Sequence, residues 1–305
     1  MSNQETKRIM SVSDVLRKVM DVEQMCFDAG MGESLFWYRG HADEAWELQP
    51  GVLRNDHAQR VRQSEALMKP DNMWDSVLHN ERTINRRFRD EAYLHLGDVP
   101  ESHMYFVAQH YGLPTRLLDW SLNPLVALFF ACHKEIQTKD GCIYLLCPRN
   151  LPNILGQCRQ DPPSPFTDVA SGYHPVVRRF IQNSLFDFET VRDLQHTPII
   201  PITPVATTSR IPIQSSRFTF HPPMFKQDSS SIKSPYILAE ANYTLEKFII
   251  DKDGKGKILA ELNRLGIHHY SLFQDLDNLA LHLKTIYCNR SMYMPLENLT
   301  TEASQ

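Results

Sequence analysis

Residues 109–123 read Gln-His-Tyr-Gly-Leu-Pro-Thr-Arg-Leu-Leu-Asp-Trp-Ser-Leu-Asn. The run gathers His110, Tyr111, Arg116, Asp119 and Trp120 between a glycine turn and a proline-started helix. A helix over 102–111 ends at Gly112. Pro114 prevents its continuation, because proline lacks an amide hydrogen and its ring crowds the preceding turn. Asn123 caps the next helix, with Pro124 in its first turn. Leu125, Leu128, Phe129 and Cys132 follow at helical spacing, so that helix faces a core. Unpartnered polar groups are costly to bury, and this density of them suits a pocket that grips something anionic and aromatic.

Working outward, Ser11 or Ser13 caps a helix to about Ala29, with Val15, Leu16, Val19, Val22 and Met25 as its apolar stripe. Gly30 and Gly32 stop it. Leu35 to Arg39 reads as a strand with Leu35, Trp37 and Arg39 on one face and Phe36 and Tyr38 on the other. A long helix covers Met73 to Leu96. Gly141 to Cys147 is an apolar strand, 148–170 a proline-rich loop, and Tyr173 to Leu185 a helix. Short strands are expected around Ile199 and Ile211, at Arg217 to Phe220, at Tyr236 to Leu238 and at Leu245 to Asp251. Helices over Lys255 to Leu265 and Asp277 to Tyr287 complete the chain. The order of elements predicts one α+β domain over 11–290, with a central mixed or antiparallel sheet flanked by helices. Residues 1–10 are expected to be a disordered start and 291–305 a C-terminal tail.

The chain has 305 residues, 42% hydrophobic and 10% aromatic, which suffices for a substantial core. Its formal charge of -4 gives no global attraction for polyanions, so nucleic-acid contact requires a local basic patch. No apolar run approaches the roughly 20 residues of a membrane span. The polar start has no export signal, and the expected location is cytoplasmic. The six cysteines form no Cys-x-x-Cys pair and read as reduced, mostly buried thiols. The thirteen histidines show no metal spacing, so no metal is expected, and His268-His269 reads as solvent-facing. Phosphate-loop, dinucleotide-fold, zinc-protease and nucleophile-elbow motifs are absent.

Three stretches together resemble the FRG domain family: Tyr38-Arg39-Gly40-His41, the run Gln109 to Ala131, and Arg210 to Thr219 with a late Asp275-Leu276-Asp277. Tyr38 stands where the family name has phenylalanine. The resemblance spans about residues 30–285. It implies a bacterial protein, sometimes placed beside phage-defence or toxin-like systems with an antitoxin or defence partner. It also implies distant similarity to the ADP-ribosyltransferase fold, with its split sheet and NAD as cofactor. In that fold an early strand supplies an arginine or histidine and a late strand a glutamate; Arg39, the central motif and Gln214 fall in that order.

On this reading Arg39, His110 and Gln214 are the catalytic candidates, and His41, Tyr111, Thr115 and Arg116 the cofactor-binding ones. Arginine suits phosphate because its planar fork donates bidentately; the bland alternative is a buried ion pair. His110 can donate to ribose or phosphate and Tyr111 can stack on a base, or both can be core. Arg116 and Asp119, three apart, form an ion pair if the backbone turns helically, which favours a structural Asp119. Trp120 reads as core. Gln214 keeps the hydrogen bonds of a glutamate without its charge, and Glu240 and Glu246 are possible substitutes. Arg82, Arg86 and Arg89 share a helical face, read as solvated and paired with Glu81, Asp90 and Glu91. The functions that remain are an NAD-dependent transferase or glycohydrolase acting on a protein or nucleic acid, a non-catalytic nucleotide-sensing or interaction module, and a nuclease-like toxin using His110.

Overall fold

The computed structural model describes residues 8–28, 36–54, 73–97, 99–133, 138–148, 151, 170–171, 199–221 and 245–288. In chain order the elements are α1 (Val12–Asp28), β1 (Trp37–His41), α2 (Met73–Leu96), α3 (Glu101–His110), β2 (Leu117–Ser121), α4 (Pro124–His133) and β3 (Gly141–Leu146). They continue with β4 (Ala170–Ser171), β5 (Ile200–Thr203), α5 (Arg210–Ile213), β6 (Ser216–Phe220), β7 (Leu245–Ile250), α6 (Lys255–Arg264), α7 (His269–Phe273) and α8 (Leu276–Cys288). The fold is α+β. The described strands form one seven-stranded sheet in the order β4-β5-β6-β2-β1-β3-β7, antiparallel except for the edge pair β4 and β5. Among the described residues no helix is long and apolar enough to cross a membrane.

The predicted helices at 73–96 and 124–133 are present. Asn123 caps α4 as its sequence demands, its Oδ1 accepting from the Leu125 amide at 2.9 Å. α4 is apolar almost all round, with Val126, Ala127, Leu128, Phe129, Ala131 and Cys132 buried, because it is sandwiched between the sheet and α1 and α6. Its approach to β1 is unusually close. A methyl group on Gly40 would overlap the Ala127 carbonyl and stand 2.7 Å from the Ala131 amide nitrogen. On the neighbouring strand, Gly141 faces the Ala131 carbonyl in the same way, at 2.6 Å. Two glycines and two alanines thus let a helix backbone lie against a sheet backbone.

This contact gives the sheet its sidedness. By strand alternation and register, Tyr38, Gly40, Ile143 and Phe248 face the helices and join the core that holds α1, α4 and α6. Trp37, Arg39, Tyr144 and Trp120 face the other way, where Leu48, Leu151 and Ile199 complete a second core. α3 lies on the helical side over β6, with Phe106 against Phe218 at 5.5 Å between ring centroids.

Four expectations are corrected here. Ile211, expected in a short strand, lies in the helical turn α5, closed by the Gln214 amide donating to the Arg210 carbonyl at 2.9 Å. Residues 117–121 are a strand, and the reason lies far along the chain: β6 pairs with all five of these residues, from Leu117↔Phe220 to Ser121↔Ser216. The chain is ordered before residue 11. Ile9 is buried and bridges β7 in parallel, its amide donating to the Ile249 carbonyl and its carbonyl accepting from the Asp251 amide. His268 and His269 are half-buried: His269 Nε2 lies 2.9 Å from His133 Nδ1, and the His268 ring stacks on His282 at 3.9 Å. His268 also caps α7, its Nδ1 accepting from the Ser271 amide. The expected helix at 173–185 and strand at 236–238, with Glu240, fall outside the described residues, as do the tail and residues 1–7.

Because backbone atoms cannot swing aside as a side chain can, Gly40→Ala should cost at least about 3 kcal/mol, at or beyond the upper end of ordinary overpacking. A denaturant melt of the purified variant checks this. A loss under about 1 kcal/mol would show that α4 can ride away from β1.

Candidate functional site

Arg39 and His41 project from β1 on the side away from α4, because Gly40 between them takes the helix. β1 and β2 pair only at Tyr38↔Ser121 and then part. Arg39 reaches across this split: its Nη1 donates to the Asp119 carbonyl at 2.7 Å and lies 3.7 Å from Asp119 Oδ2. Its Nε donates to His41 Nε2 at 2.9 Å. An imidazole nitrogen that accepts carries no proton, so His41 is the Nδ1–H tautomer, donating to the Trp46 carbonyl at 3.1 Å. Burial and then the Arg39 charge push the His41 pKa down to about 3. His41 is therefore a neutral strut that orients Arg39. Burial lowers the Arg39 pKa to about 10, opposed by Asp119, and the guanidinium stays charged at neutral pH.

Asp119 is the exposed member of this pair. Its side chain is 52% accessible, on a central strand whose other four residues are buried. Its Oδ2 accepts from Gln109 Nε2 at 2.8 Å, and Gln109 Oε1 accepts from the Thr115 hydroxyl. One hydrogen-bonded chain thus runs Arg39–Asp119–Gln109–Thr115. His110 Nδ1 lies 3.2 Å from Thr208 Oγ1; burial and the nearby Arg210 charge lower its pKa. Tyr111 is 60% exposed, edge-on to His110 and close to Phe88. His110 and Tyr111 stand at the end of α3 on the helical side of the sheet, and among the described residues neither is in contact with Arg39.

Other candidates take structural posts. Thr115 is fully buried and closes the turn before β2, its hydroxyl accepting from the Leu117 amide at 3.1 Å. Arg116 does not meet Asp119. It is wholly buried, its Nε on Glu81 Oε2 at 2.8 Å and its guanidinium 4.9 Å over the Phe220 ring. Tyr105 completes the knot, donating to Glu81 Oε1 and accepting from the Arg116 amide at 2.7 Å. Glu81 is accordingly the buried anchor of α2, not part of a solvated face; Arg89 pairs with Asp90 on the outside. Gln214 is the C-cap of α5. Its Nε2 donates to the Leu272 carbonyl at 3.1 Å, and its own carbonyl accepts from Ser121 Oγ at 2.7 Å. Ser215 follows with φ 49, the left-handed backbone that glycine would adopt without strain. Glu246 faces α1 near Cys26, across the sheet from Arg39. Among the described residues no group of His, Cys, Asp and Glu is placed to hold a metal ion.

Sequence reading missed His221. It ends a buried relay in which Trp120 Nε1 donates to Thr219 Oγ1 at 3.0 Å and Thr219 Oγ1 lies 3.0 Å from His221 Nε2. Its Nδ1 has no partner among the described residues, and burial with the Arg39 charge holds its pKa at about 3. Nothing local marks this histidine; only the β2–β6 register delivers it.

Residues 34–140 match the family model of the FRG domain. Over that span the chain is similar to the FRG domain. The matched span contains β1, α3, β2 and α4, hence Tyr38 to His41 and the whole Gln109 to Ala131 run. The later stretches of the FRG resemblance lie beyond it, yet they pack on it: β6 pairs with β2, and Arg210 holds Asp275 at 3.2 Å. No curated protein and no solved structure matches this chain.

Breaking a buried ion pair strands a charge, so Glu81→Ala should destabilise the protein by about 3–5 kcal/mol, and joint replacement of Glu81 and Arg116 by leucine and methionine should recover most of it. Chemical denaturation of the single and double variants measures both. The pH response has a definite sign. His41 and His221 have folded pKa values near 3, below the ordinary 6.5, so the unfolded chain takes up protons first and stability is lost as pH falls below about 6.5. The melting temperature should already drop between pH 6.5 and about 5, above most of the carboxylate range. His221→Phe should flatten that slope.

Proposed function

We propose that the protein cleaves NAD and transfers the ADP-ribose portion to a macromolecule, with Arg39 and Asp119 at its working end. The observation that carries this reading is the split between β1 and β2. There a charged guanidinium, fixed by His41 and the β2 main chain, lies 3.7 Å from a half-exposed carboxylate.

The donor set fits a dinucleotide. Arg39 has a planar fork suited to phosphate oxygens, and Tyr111 offers an exposed ring to a base. NAD, when bound, supplies the scissile bond between ribose and nicotinamide. Asp119 supplies negative charge where positive charge develops at the ribose carbon, the task that falls to preorganised electrostatics. Gln109, bonded to both Asp119 and Thr115, positions that carboxylate from the end of α3. In this reading His110 bonds a ribose hydroxyl. Asp119 thereby takes the part that sequence order suggested for Gln214. The setting as a cytoplasmic toxin or phage-defence effector rests on the family resemblance.

A second reading, a nucleotide sensor without turnover, draws on Gln214. The late position carries no charge and its amide is committed to Leu272.

Nicotinamide release from labelled NAD, measured with cell lysate as acceptor, separates the two. Release by the native protein should fall at least 100-fold in Asp119→Asn and in Arg39→Ala, while Gln214→Ala lowers thermal stability more than it lowers rate. Saturable nucleotide binding with no release under any acceptor condition would select the sensor.

A further inference from the structure

Histidines from three helices meet around α7, and the reaction above uses none of them. His268 precedes that helix with extended backbone and caps it. Its Nδ1 accepts from the Ser271 amide at 3.2 Å, while Ser271 Oγ accepts from the His268 amide at 2.9 Å. The His268 ring lies flat on His282 of α8, 3.9 Å between centroids and 4° from parallel. His269 Nε2 lies 2.9 Å from Nδ1 of His133, the last residue of α4. Phe129 adjoins both of these rings at 5.2 Å. His133, His268, His269 and His282 are all half-buried, within reach of solvent protons.

These contacts require uncharged imidazoles. An N-cap is ordinarily Ser, Thr, Asp or Asn, whose oxygen remains an acceptor near neutral pH. Histidine stops accepting once both ring nitrogens carry protons. Stacked rings repel when both are charged, and the bond between His133 and His269 survives only while one of its two nitrogens is bare. Neighbouring charges do not offset this. Asp275 is taken by Asn278 and by Arg210 of α5, Asp277 and Lys284 are exposed on α8, and on α6 Lys257 pairs with Glu261 while Arg264 is exposed. Among the described residues no carboxylate pairs with His268, His269 or His282. Burial, then the His282 and His269 charges, lower the His268 pKa. Burial lowers that of His269 with Asn278 opposing, although its Nδ1 makes no hydrogen bond among the described residues.

α7 in turn holds the turn beside β2. The Leu272 carbonyl accepts from Gln214 Nε2 at 3.1 Å, and the Arg210 guanidinium lies 4.9 Å over the Phe273 ring. The Gln214 carbonyl accepts from Ser121 Oγ, and the Ser215 carbonyl from the Leu122 amide at 3.0 Å. Ser121 is two residues from Asp119 on the same strand.

We propose that these histidines form a proton-operated clasp: uncharged, they hold α7 between α4 and α8; charged, they release it together with Gln214 and the end of β2. Such clusters switch packing when they take up protons in mild acid. Since the folded pKa values of His268 and His269 are lowered from the ordinary 6.5, the hold is complete above that pH and is lost as pH falls through the lowered values. Acid thereby loosens the strand that carries Asp119. That consequence for NAD turnover rests on the reading above; the clasp itself does not.

Hydrogen exchange of the full chain, read by mass spectrometry at pH 7.5, 6.5 and 5.5 with labelling times scaled to the intrinsic rate, tests the clasp. The Leu272 and Gln274 amides, bonded to the His268 and Tyr270 carbonyls, should lose about tenfold in protection from the highest pH to the lowest, and the Leu122 and Gln214 amides should follow, while α4 and β3 hold. In the joint variant His268→Asn, His282→Phe the cap acceptor and the flat ring remain without their protons, so α7 should stay protected at pH 5.5. Should that pair fail to fold, His268→Asn alone should keep the Ser271 amide protected there. Protection of α7 that ignores pH, that falls only in step with the whole sheet, or that falls equally in the variants overturns the proposal. Nicotinamide release beside pH-independent α7 exchange sinks the clasp and leaves cleavage standing; the expected exchange without any release does the reverse.

Discussion

The contact on which the rest depends is the meeting of two backbones, where α4 lies against β1 at Gly40 and against β3 at Gly141. No side chain separates the helix from the sheet, and a single carbon atom on Gly40 would overlap the Ala127 carbonyl. With the helix seated there, the neighbours of Gly40 have only one direction open to them. Arg39 and His41 turn to the opposite side, and the hydrogen bond between them fixes the imidazole as neutral and the guanidinium in place. Packing on one surface of the sheet thus determines chemistry on the other.

A second anchor works from further off. Arg116, Glu81 and Tyr105 join the start of β2 to α2 and α3 in a fully buried knot. Desolvation makes such a group a doubtful source of stability, but it fixes where β2 begins. The exposed carboxylate of Asp119 is then delivered at the split between β1 and β2, under Gln109 from α3. The knot and the glycine contact hold the two sides of that split independently.

Much of the central motif was legible in sequence because its punctuation is local. Gly112 adopts φ 81 after α3, Pro114 bars extension, and Asn123 with Pro124 starts α4. The aromatic strand ending in Arg39 was legible for the same reason. What could not be read is the strand character of Leu117 to Ser121, since the β6 partner that imposes it lies about a hundred residues away. That miss carried the others with it. A helical turn would have joined Arg116 to Asp119; the strand sends one to Glu81 in the core and the other to the surface. Gln214 was singled out by its order in the chain, yet its bonds to Leu272 and Ser121 make it a brace between α7 and β2.

The outermost strand of the described sheet, β7, would present bare peptide groups to solvent were it not for Ile9, which crosses it and exchanges hydrogen bonds with Ile249 and Asp251. Exposed sheet borders recruit foreign chains and seed clumping. Residues 8–10 therefore act as a selvedge: a version of the protein begun at α1 would keep every helix and strand named above yet offer an unhemmed margin to its neighbours.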